Sequence, residues 1–370
     1  MIIKIENATK DNVLNKDFLI SIENILRSFA EEKHLLIASR EFFRDIINSE
    51  GGLYSTSSKH FASEALSGQV EYHSLINMVS FYVSVDFTIK DTSFKWVDLG
   101  IKYKFVCGPL FFSDSSQLQK TKIVCENPLD SDFFKIIASF YAKRESLSGC
   151  SINFSALNGG GGSTKDIFER VIKNNEIAFC IVDNDKKHPG APFGGTSAHF
   201  TKSKINRSGL VEILNVHEIE SLVPFETIEK VLSELNLLTG KQQSLNFFKK
   251  LCSIDETAKF YFDHKKGFDL KTALELDNAH GDYWRPILKK MSKDIQCDCI
   301  GSKKCECKPS CLTYDGFGDG LLNNTLRHIN QGSLKRYNPP LSPKLYEKWY
   351  ELGKNLFSWS CGPYKKSRLS

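Results

Sequence analysis

The sequence predicts an α/β protein whose middle third is a parallel sheet of four strands, and three observations predict it. Between residues 119 and 224, short apolar runs alternate with segments of helical period. The runs are continuously apolar, as strands covered on both faces are. A glycine turn, "NGGGGS" at 158–163, stands where a strand must hand over to a helix.

Taken in order, the core opens with the strand "KIVCE". A helix follows in "LDSDFFKIIASFYAKRE", with Asp130 or Ser131 as its N-cap. "SINFSAL" is the second strand and "TKDIFERVIKNN" the second helix. "EIAFCIVDND" is the third strand, and "LVEILNVHEIESLVP" supplies the fourth after a Gly/Pro-rich loop. Residues 1–118 read as an α+β region, helices first ("NKDFLISIENILRSFAEE", "SREFFRDIINS") and strands after ("SFYVSVDFTI", "WVDLGIKYKFVCG"). That region carries no catalytic pattern and suits a scaffold or a partner-binding role. Residues 225–370 read as mainly helical, interrupted by a cysteine-rich insertion at 297–311. The last helix lies in "PPLSPKLYEKWYELGKNLFSW", with Ser342 at its N-cap and Pro343 at its first position.

A chain of 370 residues has room for two or three domains, and 41% hydrophobic with 25% charged residues fits a soluble protein. No run of about 18 apolar residues occurs, so no membrane span is expected. The opening "MIIKIENATKDN" lacks an apolar signal core, which predicts a cytoplasmic protein. Net charge is +5, but residues 281–370 hold 16 Lys or Arg against 8 Asp or Glu. That tail, with Lys303, Lys304 and Lys308 in it, either meets a polyanion or is a solvated basic surface.

Ligands collect at the carboxyl ends of strands in open α/β sheets. Here those ends carry Glu126, the glycine loop, Asp183 with Asp185, and "HEIES" with His217, Glu218 and Glu220. Carboxylates gathered in one place repel unless a cation sits among them, and oxygen donors without thiolate suit Mg²⁺ or Mn²⁺. Asp130, Asp132 and Glu218 read as helix caps or solvated residues. The glycine loop can cradle an anion at the helix start, with Lys165 reaching the scissile phosphate. The alternative there is a plain turn with a Ser163/Asp166 capping box. "DKKHPGAPFGG" is expected to be a mobile loop over the site, with Lys186, Lys187 and His188 meeting phosphates. His188 as general base ranks behind water activated by the metal.

Eleven cysteines are unevenly spread. Cys107, Cys125, Cys150, Cys180 and Cys252 read as small buried hydrophobes. Cys297, Cys299, Cys305, Cys307 and Cys311 follow C-x-C-x5-C-x-C-x3-C, which reads as one structural zinc or as reduced thiols in an insertion.

Glu126 after the first strand and Asp183-x-Asp185 after the third, on a four-stranded βαβ core, resemble the Toprim domain. That domain occurs in type IA and II topoisomerases, bacterial primases and the OLD-type nucleases. The resemblance runs from about Lys122 to Leu222, roughly a quarter of the chain. The family's usual glycine after the glutamate is replaced by Asn127-Pro128. His217-x-x-Glu220 further resembles stand-alone Toprim-like proteins found beside ATPases in bacterial anti-phage loci. The resemblance implies a Rossmannoid core and a metal-dependent nuclease acting on DNA or RNA. Glu126, Asp183, Asp185 and Glu220 would hold Mg²⁺ or Mn²⁺, and Lys165 would serve the substrate phosphate. It also implies a role in defence with a separate ATPase partner, and leaves room for a homo-oligomer. A non-catalytic docking or nucleic-acid-binding subunit, and primer synthesis on the same acids, are the alternatives.

Overall fold

The computed structural model describes residues 1–291, 297–302, 304–332 and 337–364. It is a mixed α/β protein with two five-stranded sheets.

The first sheet lies in residues 1–118. Its strands β1 (Ile2–Glu6), β2 (Leu35–Ile37), β3 (Phe81–Asp86), β4 (Phe94–Asp98) and β5 (Tyr103–Cys107) stand in the order β2-β1-β3-β5-β4. Every neighbouring pair is parallel except the β4–β5 hairpin. Helices α1 (Lys10–Leu14), α2 (Lys16–Ala30), α3 (Arg40–Ile47) and α4 (Thr56–Leu75) connect the parallel strands. The expected sequence of helices first and strands after is therefore corrected. Two strands, β1 and β2, are woven among the helices, and the region is α/β in its own right. At five and three residues they are too short to show a period.

The second sheet is the expected parallel core with one addition. In chain order come β6 (Lys122–Cys125), α5 (Pro128–Arg144), β7 (Cys150–Ile152), β8 (Ser155–Asn158), α6 (Thr164–Lys173), β9 (Ala178–Val182), α7 (Gly195–Ala198), β10 (Ile205–Asn206) and β11 (Gly209–Ile213). The order is β10-β11-β9-β6-β8, with four parallel strands and β10 folded back antiparallel on β11. "SINFSAL" does not form one strand: β8 joins the sheet while β7 turns away to pair with residues Cys361–Pro363. The N-cap of α5 is Asn127, not Asp130 or Ser131, and Pro128 takes the first helical position.

The remaining chain folds as α8 (Phe225–Glu234), α9 (Leu238–Ile254), β12 (Gly267–Asp269), α10 (Leu270–His280), α11 (Trp284–Met291), β13 (Thr313–Asp315), α12 (Leu321–Gln331), α13 (Pro343–Ser360) and β14 (Cys361–Pro363). Ser342 caps α13 by position, without a side-chain bond. This last helix lies along α5. Trp349 of α13 is buried, with Phe133 and Phe140 of α5 edge-on at 5.7 and 5.4 Å and its indole N–H on Leu222 O at 2.8 Å. Ten residues on, Trp359 stacks on Phe81 of β3 at 3.8 Å and on Phe179 of β9 at 5.0 Å, its plane nearly parallel to both. One indole thus joins the two sheets, and a single hydrophobic core runs through both of them and the C-terminal helices.

Truncating such a ring leaves a cavity that rigid sheets cannot close. Trp359→Ala is expected to cost about 3–5 kcal/mol in urea unfolding, and Trp359→Phe much less. A loss below about 1 kcal/mol for the alanine variant would mean that the sheets are held together elsewhere.

Candidate metal centre

Each carboxylate is fixed by the backbone around it. β6 ends at Cys125, and only Glu126 and Asn127 separate it from α5. The Asn127 side chain accepts from the Leu129 N–H at 3.0 Å, and the Asp130 carboxylate accepts from the Asn127 N–H at 2.8 Å. This tight reversal fixes Glu126 at the strand end. Glu126 Oε1 accepts from the Asp183 N–H at 3.2 Å, just past β9. Asp183 Oδ2 accepts from the Ile219 N–H at 3.3 Å, where a 3₁₀ turn, Ile219–Leu222, carries Glu220. The fourth strand ends at Ile213, so "HEIES" forms a separate capped turn rather than the strand end itself. Two strand ends and one turn thereby bring Glu126, Asp183 and Glu220 together. Asp185 stands exposed beside them in the left-handed region, φ 55°, its N–H on His217 O at 3.0 Å. A Cβ on Gly194 would lie 2.1 Å from Asp185 Oδ2, so glycine is required there.

The electrostatics follow from crowding in a partly dry place. Burial raises the Asp183 carboxyl well above its free value of 3.8, and Asp130, Glu126, Glu220 and Glu218 push it further. Burial likewise raises Glu126, with Asp185 adding to it, and raises Glu218, with Glu220 adding to it. Glu220 is raised by burial against the pull of Lys265, and Asp130 is lifted by burial to about 6. Asp130 and Glu218 were expected to be caps or solvated residues. Asp130 does cap α5, yet both are buried and belong to the cluster.

Sequence reasoning missed Lys265 and Asp263, which lie far along the chain in "DHKKG". Lys265 Nζ is 3.1 Å from Glu218 and 3.1 Å from Glu220. Burial opposes its charge, but Glu220 and Glu218 outweigh that and hold its pKa above the ordinary lysine value. Backbone packing sets its place: the Phe317 N–H donates to His264 O at 2.7 Å, and a Cβ on Gly316 would lie 2.2 Å from Lys265 O. Beside it, donor atoms of His217, Glu218 and Asp263 lie within 4.8 Å of one another. Asp263 also holds Lys187 Nζ at 2.7 Å. The signal available was a run of charge between two buried aromatic stretches, which marks a tight polar turn but not its neighbours.

Other expected residues stand elsewhere. Lys165 is half-buried on α6, its ammonium 3.7 Å from Glu169. The glycine loop does adjoin the cluster, with the Gly160 N–H on Glu126 O at 3.1 Å, and Ser163 makes no side-chain cap. The 186–188 segment is tied down. His188, expected at the surface, is buried, its ring on Gly281 O at 2.9 Å and accepting from the Gly190 N–H at 3.0 Å. Trp284 donates to Lys187 O at 2.9 Å, and Lys186 lies 4.0 Å over the Phe193 ring.

A second group lies between α11 and β13. Thiols of Cys299, Cys305, Cys307 and Cys311 are within 4.8 Å of one another, and Cys297 Sγ is 2.7 Å from Cys311 Sγ. Lys304 and Lys308 are exposed on that segment, and Lys303 lies outside the described residues.

No family model, curated protein or solved structure matches the chain. The chemistry is therefore read from the two clusters themselves. Oxygen donors fit a hard divalent cation, and among the described residues Glu220 Oε2 is buried with no hydrogen-bond partner. Four thiols fit a soft or borderline ion. No helix among the described residues is long and apolar enough to cross a membrane.

A carboxyl raised in the fold is neutral in both states only at pH values well below its free value of 3.8. As pH rises past 3.8, the unfolded chain releases the proton more readily than the fold, so stability falls. Asparagine cannot titrate. Metal-free Asp183→Asn should therefore melt at the same or a higher temperature than the natural chain at pH 7, the gap closing toward pH 4. A variant that melts lower at pH 7 would show Asp183 to be an ordinary stabilising carboxylate.

Proposed function

We propose that the chain is a metal-dependent phosphodiester hydrolase, a nuclease with a Toprim-like core acting on DNA or RNA. The observation that carries this is the convergence of Glu126 and Asp183 at two strand ends with Glu220 on the turn beside them, one buried Glu220 oxygen having no hydrogen-bond partner among the described residues. These three, with Asp185 at the rim, would hold Mg²⁺ or Mn²⁺. A bound ion of this kind supplies activated water and neutralises a leaving oxygen. Lys265 pairs with both Glu218 and Glu220 and remains about one-third exposed, where an anionic phosphodiester would meet it. The likeness of Glu126, Asp183-x-Asp185 and His217-x-x-Glu220 to Toprim-like defence proteins supports a role as the effector of an anti-phage system with a separate ATPase. A second reading is a docking or nucleic-acid-binding subunit without catalysis, and one observation favours it: Lys265 already occupies the space between two of the carboxylates.

Plasmid, single-stranded DNA and tRNA incubated with Mg²⁺ or Mn²⁺, with and without the ATPase partner, separate the two. Glu126→Gln and Asp183→Asn should each lower cleavage at least about a hundredfold. Full activity in the double variant would refute the hydrolase reading.

We also propose that the Cys299, Cys305, Cys307 and Cys311 thiolates hold one structural zinc, with Cys297 adjoining. Elemental analysis of chelator-free protein should give about one zinc per chain, and Cys305→Ser should lose it. Zinc-free protein with five freely alkylated thiols would rule this out.

A further inference from the structure

A cavity of about 570 Å³ opens between the two sheets, beside the carboxylate cluster. β10 pairs only with Gly209 and Leu210 of β11, so the rest of that strand's outer edge, through Leu214, forms one wall. Asn184, the chain neighbour of both Asp183 and Asp185, is part of the lining.

The lining is mixed, and each part has a distinct use. Phe193 is 40% exposed, a large ring left in water beside Lys186. Lys186 and Lys204 give the cleft two ammonium groups. Toward the interior, Asn355 donates to Glu212 Oε2 at 2.8 Å, and Ser80 donates to Asn355 Oδ1 at 2.6 Å. Glu212 is thus oriented through one oxygen, and its carboxylate can accept N–H groups from a base edge.

We infer that this cleft receives one unpaired nucleotide, its base against Phe193 and its phosphate toward Lys186. The size decides against a duplex: cavities of roughly 300–1,000 Å³ hold one small ligand, and a base pair within a helix cannot enter. An aromatic face, ammonium groups for phosphate and hydrogen-bonding groups deeper in are the parts that single-strand binders combine. Through Asn184, the cleft adjoins Asp183 and Asp185 in the chain, which would set the seated nucleotide close to the bond to be cut. The inference rests on the hydrolase reading for that last point, while its binding claim stands apart from catalysis.

The test measures binding without metal. A labelled ten-nucleotide strand, as DNA and as RNA, and the corresponding duplexes are titrated by fluorescence anisotropy in the presence of a chelator. One or both single strands should bind at least about tenfold more tightly than duplex. Phe193→Ala should weaken that binding by roughly five- to a hundredfold, and Phe193→Trp should retain it. Duplex binding as tight as single-strand binding, no binding at all, or an unchanged affinity in Phe193→Ala would overturn the inference. Mn²⁺ titration distinguishes the two readings. Intact Mn²⁺ binding without single-strand preference removes the cleft and spares the hydrolase. Single-strand binding without Mn²⁺ binding or cleavage does the reverse.

Discussion

The stack of Phe81, Trp359 and Phe179 is the contact on which the architecture depends. Each sheet needs its inner face covered, and neither can do this for the other without a filler between them. The indole provides it, lying nearly parallel to a ring from each sheet. Because α13 also lies along α5, the same helix that joins the sheets steadies the element that follows Glu126. Packing of apolar surface, the dominant stabilising term in folding, thus sets the positions from which the charged groups work.

At the carboxyl edge of the second sheet the balance is reversed. Asp183, Glu126, Asp130, Glu218 and Glu220 all sit where burial and one another disfavour their charge. Lys265 offsets part of this. Such an arrangement contributes little to stability by itself, since charges drawn from water lose as much as their pairing returns. It persists because local packing over-determines it: two residues between β6 and α5, a 3₁₀ turn after β11 tied to Asp183, and a Gly316 that admits no side chain against Lys265 O. Local strain held by surrounding structure is what functional sites display.

Legibility in the sequence followed the range of the interactions. The parallel core showed itself because β6, β9 and β11 are mostly apolar runs with helices between, and Glu126 and Asp183 were visible as the residues ending the first two. β1 and β2 were hidden by their shortness. β7 was hidden because its partner, β14, lies at the far end of the described chain. Lys265 and Asp263 entered the site through tertiary folding, and nothing in their spacing tied them to Glu220. His188 looked like a loop residue, yet α10 closes over it. The two lysine positions differ in the same way: Lys165 sits near the glycine loop in sequence, while Lys265 sits near the acids in space.

The late position of α13 and β14 carries a consequence for synthesis. A ribosome releases Phe81 and Phe179 long before it releases Trp359, and β7 long before its partner strand. Until the last helix emerges, the aromatic faces of both sheets are open to water and one strand has an unpaired edge. Nascent chains in that condition are prone to stick to one another. The enclosing step therefore waits for α13 and β14 to emerge, and a chaperone that shields aromatic surface would act in that interval.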